Sequence, residues 1–193
     1  MLRCLVARLL ILIPLWATSA ATLAQTTAPV VESVAVTRHD DGWRLDADIA
    51  VDLNEQLRNA AERGLTLYFS ADVIVTQPRW WWFDQQVLAT ERLWSISYNA
   101  LIRQWRVSSG GLALPVASLD DALALVRHIR GWQIAPGNAF APGERYQGQL
   151  RLRLDVTQLS RPLQVNAINS SAWALSTPWR EFTIDVPDTG SAP

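Results

Sequence analysis

Lysine is missing from this chain altogether, and cysteine almost so. The one cysteine, Cys4, lies in the N-terminal leader described below. The rest of the chain can therefore form no disulfide and offers no thiol nucleophile. Histidine is scarce as well. His39 and His128 stand far apart, without the spacing of metal ligands, which argues against a metal centre. All 17 basic residues are arginine, a pattern that reads as GC-rich codon usage. They form no basic stripe of the kind that binds nucleic acid. No Walker loop or dinucleotide fingerprint is present, and no serine sits in a G-x-S-x-G elbow. The sequence calls for no cofactor. A hydrolase without these signatures is kept as a minor alternative, to be judged by whether a serine or carboxylate lies in a cleft near His39 or His128.

Long apolar runs are confined to the start. Arg3 and Arg8 precede an apolar stretch from Leu9 to Leu15, and small residues follow. This is the order of a secretory signal peptide covering residues 1–24, with cleavage expected after Ala24 and Ala21 as the nearby alternative. The segment Leu9 to Leu23 is interrupted by Pro14, Thr18, Ser19 and Thr22. A membrane-spanning helix needs about 20 apolar residues, so no span is expected after cleavage. The leader contains two of the 17 basic residues and none of the 18 acidic ones, leaving a net charge of −3. An exported chain with these properties is expected in the bacterial periplasm. Roughly 169 residues remain, enough for one domain with a substantial core. That domain is expected over residues 25–186, with a disordered tail at 187–193.

Period-two alternation marks the strands. Trp43, Leu45, Ala47, Ile49, Val51 and Leu53 share one face, opposite Arg44, Asp46, Asp48 and Asp52. These aspartates read as a solvated strand face, not as a glycosidase pair. Asp40-Asp41-Gly42 is a hairpin signal that joins this strand to an earlier one carrying Val34 and Val36. Further strands are expected over 65–76, 93–107, 149–157 and 182–186. Within 93–107 the apolar phase changes between Ile102 and Trp105, which predicts a β-bulge. Two helices are expected. One covers 55–63, capped by Asn54 and ended by Gly64. The other is capped by Ser118, carries Leu119, Ala122, Leu123, Val126 and Ile129 on one stripe, and stops at Gly131. Residues 135–148 and 160–179 read as loops. The whole predicts a mostly β fold, an antiparallel β-sandwich of immunoglobulin-like architecture with two short helices.

Tryptophan is what the chain has in excess. Five of its ten fall between positions 80 and 105: Trp80, Trp81, Trp82, Trp94 and Trp105. Each buries about 150–250 Å², whereas the largest apolar patch on a soluble monomer is about 300–600 Å². Most of the five must therefore be covered. In an extended run Trp80 and Trp82 face one way and Trp81 the other. One side of the run is then free to stack on a ligand such as a glycan. Arg103 and Arg106 flank Trp105 and are the matching candidates for polar or anion contacts, against the simpler reading that their stems cover a strand surface. Trp80, Trp81, Trp82, Arg103, Trp105 and Arg106 are thus the candidate binding residues.

Several strings together resemble a known family: W-W-W-F-D at 80–84, L-W-S-I-S-Y-N-A-L-I-R-Q-W-R-V-S-S-G-G-L at 93–112, S-L-D-D-A-L-A-L-V-R-H-I-R-G-W at 118–132 and R-P-L-Q-V-N-A-I-N-S-S-A-W at 161–173. They are similar to the exported proteobacterial family known as domain of unknown function 4390. That family has no established activity, cofactor or catalytic residue, so the resemblance transfers none. Its members are often encoded beside a membrane sensor kinase related to nitrogen-regulation kinases, and the resemblance implies an envelope-signalling partner of that kind. The expected function is a non-catalytic periplasmic binding or interaction module, with a carbohydrate-binding module as the alternative.

Overall fold

The computed structural model describes residues 28–79, 84–168 and 170–188. The leader, the run Trp80–Trp82 and residues 189–193 lie outside the described residues. Among the described residues, nine strands form two antiparallel sheets. The smaller has the order β1 (Val30–His39), β2 (Gly42–Ala50), β7 (His128–Ala135). The larger has the order β6 (Leu112–Val116), β5 (Gln104–Ser109), β4 (Gln85–Asn99), β3 (Leu67–Gln77), β8 (Arg145–Leu154), β9 (Arg180–Asp185). Their apolar faces share one core. Leu45, Ala47 and Ile49 of β2, Phe69, Ala71, Val73 and Val75 of β3, and Leu150 and Leu152 of β8 all belong to it. The sandwich expected from the alternation is therefore present. Its six-plus-three division differs from the four-plus-three of an immunoglobulin constant domain.

The first hairpin forms at Asp40-Asp41, and Gly42 has a physical reason to follow. Its φ is 149°, and a Cβ there would lie 2.4 Å from the carbonyl oxygen of Ala135. Helix α1 (Glu55–Glu62) begins where the Asn54 side chain accepts the Leu57 N–H at 2.9 Å. Helix α2 (Leu119–Arg127) begins with a reciprocal cap. Ser118 Oγ accepts the Asp121 N–H at 3.0 Å and donates to the Asp121 carboxylate at 2.7 Å.

Three expectations need correction. Residues 93–107 are not one bulged strand. The chain reverses through residues 100–103, with Arg103 at φ 51°, and β5 returns along β4. Tyr98 pairs with Trp105 and Ile96 with Val107. The apolar phase changed because the strand turned back, so Trp94 and Ile96 face the core together with Trp105 and Val107, while Ile102 is exposed in the turn. Second, α2 ends at Arg127, and residues 128–135 form β7 against β2. Gly131 does not stop a helix. Two residues, Arg130 and Gly131, bulge between the pairs Leu45↔Trp132 and Ala47↔Ile129, and the Gly131 N–H donates to Asp46 at 2.6 Å. This places Ile129, Trp132 and Ile134 in the core. Third, a helix, α3 (Arg161–Ile168), lies within the expected loop 160–179. It has no strong apolar stripe, and Leu163 and Val165 are exposed, so periodicity could not announce it. Strand β6 and the first half of β4 were not expected either.

Candidate functional site

Of the candidate binding residues that are described, Arg103, Trp105 and Arg106 do not share one surface. Trp105 is only 8% exposed, and its ring lies against Tyr98 with centroids 4.8 Å apart. Arg106 is exposed on the opposite face of the same strand, where it pairs with Ser97 and Pro115. Arg103 is exposed in the β4–β5 turn. Trp80, Trp81 and Trp82 fall outside the described residues. In sequence they lie between Gln77 and Gln85, which form the last pair of the β3–β4 ladder. Trp94 is buried, in keeping with the area argument.

The β3–β4 ladder has an uneven neighbourhood. It runs from Leu67↔Ile96 to Gln77↔Gln85, while β5 covers β4 only from Ser95 to Asn99. Residues Gln85–Leu93 therefore have β3 on one edge and, among the described residues, no strand on the other. Nine residues at about 3.4 Å each give a free edge on the order of 30 Å long. Val87 and Leu93 are exposed along it.

Where β5 leaves this edge, a cleft of about 330 Å³ opens between β4, the β5–β6 hairpin and the α2–β7 junction. Trp94, Leu112, Leu114, Leu125 and Ile129 line its apolar side. Arg92, Ser109, His128 and Arg130 supply the polar atoms. Asp48 faces His128 Nδ1 at 2.9 Å, accepts from Arg130, and accepts from Ser33 Oγ at 3.0 Å. The Arg130 and His128 bonds hold its carboxyl far below the usual range. A carboxylate thus lies beside a histidine that lines a cleft, the condition set for a hydrolase. A serine-histidine-acid triad also needs a serine hydroxyl on the imidazole. Among the described residues no serine bonds to His128, and Ser33 donates to the aspartate instead. Burial lowers the pKa of Arg92 from its ordinary value, though not far enough to discharge a guanidinium. Its Nε donates to Ser109 Oγ at 3.4 Å, and its guanidinium lies 5.2 Å from the Trp94 ring centroid.

A second cluster lies on the outer face of the larger sheet. Asp72 of β3 accepts from Arg151 at 2.7 Å and Arg153 at 2.9 Å, and Ser70 Oγ donates to it at 2.7 Å. Arg151 also stacks 4.3 Å from the centroid of Trp179, which is 36% exposed. Burial alone would raise the Asp72 pKa, but the bonds from Arg153, Ser70 and Arg151 outweigh it and hold the carboxyl below its usual value. A depressed folded-state pKa stabilises above the unfolded value and is lost as pH falls through the folded one. Asp72→Asn is therefore expected to cost about 1–3 kcal/mol at neutral pH and to flatten the loss of stability below roughly pH 4. Urea titrations of both proteins between neutral and acid pH would check this, and parallel curves would contradict it.

The family model for domain of unknown function 4390 matches residues 27–183. The chain belongs to this family. No curated protein and no solved structure matches it. Among the described residues of this DUF4390 chain, no helix is long and apolar enough to cross a membrane. Nor do three His, Cys, Asp or Glu residues gather as a metal site would require.

Sequence reasoning missed Arg92 and Trp179 in this DUF4390 chain. Arg92 was within reach. Trp94, Ile96 and Tyr98 share a phase, and extending it back by two residues puts a guanidinium on the core-facing side. Trp179 gave no such signal, because its position beside Arg151 depends on how residues 160–179 return to the sheet.

Proposed function

We propose that this protein is a non-catalytic interaction module of the bacterial periplasm that binds a partner protein along the outer half of β4. The free edge of Gln85–Leu93 is the observation that carries this reading. Unpaired strand edges accept a further strand through main-chain hydrogen bonds, and neighbouring side chains supply specificity. The other edges of the larger sheet are poorer templates. Strand β6 contains Pro115, and β9 is six residues long with Arg180, Glu181 and Asp185. The β4 edge has no proline, and its two charges, Glu91 and Arg92, are adjacent.

The partner proposed is the membrane sensor kinase implied by the family resemblance, reached after export through the leader at residues 1–24. Affinity-tagged protein expressed with that kinase is expected to recover it from solubilised membranes. Membranes lacking the kinase should give no equivalent partner. Failure to recover the kinase, together with quenching of tryptophan fluorescence by peptidoglycan fragments, would replace this reading with the glycan one. The exposed Trp179 beside Arg151, Asp72 and Glu91 is what favours that alternative.

A further inference from the structure

The cleft at the root of the β4 edge contains an uncommitted cation. Arg92 has no carboxylate partner among the described residues, and the undescribed ones include no Asp or Glu. Among the described residues its only hydrogen bond is the long one to Ser109, and neither terminal nitrogen has an acceptor there. Across the cleft Arg130 and His128 are both engaged by Asp48. Among the described residues the cleft therefore offers one free positive charge, and the Asp48 carboxylate disfavours a doubly charged guest.

The remaining surface is aliphatic. Leu112 is 64% exposed, and Leu114 and Leu125 are exposed with it, from two different elements facing one opening. Trp94 and Ile129 close the interior. A guanidinium presents a planar fork that matches a carboxylate in two parallel hydrogen bonds. A volume of about 330 Å³ stands at the small end of ligand pockets, which run from about 300 to 1,000 Å³. We propose that this cleft binds a short to medium aliphatic carboxylate, with its head on Arg92 and its chain among Leu112, Leu114 and Leu125. The proposal does not rest on strand addition at the β4 edge, because the cleft is complete without a partner.

Calorimetric titration of the whole protein tests this with acetate, hexanoate, octanoate and octanol as probes. Octanoate is expected to bind one to one, with affinity rising about four-fold per methylene from hexanoate to octanoate. Octanol should bind at least about ten-fold more weakly than octanoate, the effect of losing a hydrogen bond to a charged group. Arg92→Gln should reduce octanoate to the level of octanol and leave octanol unchanged. Leu114→Gln, on an exposed strand, should weaken both alike. Equal binding of octanoate and octanol by the unmodified protein would overturn the proposal, as would octanoate binding no tighter than acetate. Both comparisons hold whether or not the Arg92 variant folds.

Discussion

Phe69→Ala is expected to lower the unfolding free energy by about 3–5 kcal/mol, the usual effect of deleting a buried aromatic ring. For a domain of this size each kcal/mol moves the midpoint by about 2–4 °C, so the melting temperature should fall by on the order of ten degrees. The reason lies in sheet order. Phe69 is fully buried on β3, and its Cα partners are Trp94 on β4 and Leu154 on β8. Removing the ring leaves a void in the core that the two sheets share. The backbone on both sides is fixed by ladders, so collapse into the void is limited. Thermal and urea unfolding should report the same loss, and a midpoint near that of the unmodified protein would contradict the central place given to β3.

Val87→Lys with Leu93→Lys is expected to do the reverse: little to folding, much to binding. Both side chains are exposed on the free half of β4, and solvent-facing substitutions usually change stability by less than about 0.5 kcal/mol. Lysines on an exposed edge oppose strand addition, because the incoming strand must desolvate them. Loss of central interface contacts commonly costs 2 kcal/mol or more, which is about 30-fold in affinity. The double variant should therefore melt like the unmodified protein and fail to recover the sensor kinase from membranes. Full recovery by the folded variant would move the interface away from β4.

The parts of the fold that sequence made legible were those where one face is apolar and the other polar. Strand β2, strand β3 and the caps at Asn54 and Ser118 all follow from local chemistry that tertiary structure did not override. The illegible parts share a cause. The β4–β5 reversal hid behind a phase change, because Ala100–Arg103 contains no glycine or proline and Arg103 itself takes the left-handed conformation. Strand β7 hid behind a helix signal, because Ile129 continues the stripe of α2, and only pairing with β2 makes the strand the better way to bury it. The free half of β4 was silent because alternation needs a buried face, and Gln85–Leu93 has little core to meet. For the same reason this segment has, among the described residues, no second strand beside it. Of the named site residues, Trp105 turned out to serve the core. Arg92, read only as part of a string, turned out to lie in a cleft.

The most direct measurement is amide hydrogen exchange along β4, resolved residue by residue, with and without the periplasmic part of the kinase. From Leu88 to Leu93, past the register shift that leaves Val87 unpaired, every second amide points toward β3 and the others point outward. Strand addition predicts that the outward set exchanges freely in the isolated protein and gains protection in the complex, in strict alternation. Protection confined to other surfaces, with Gln85–Leu93 unchanged, would contradict the account.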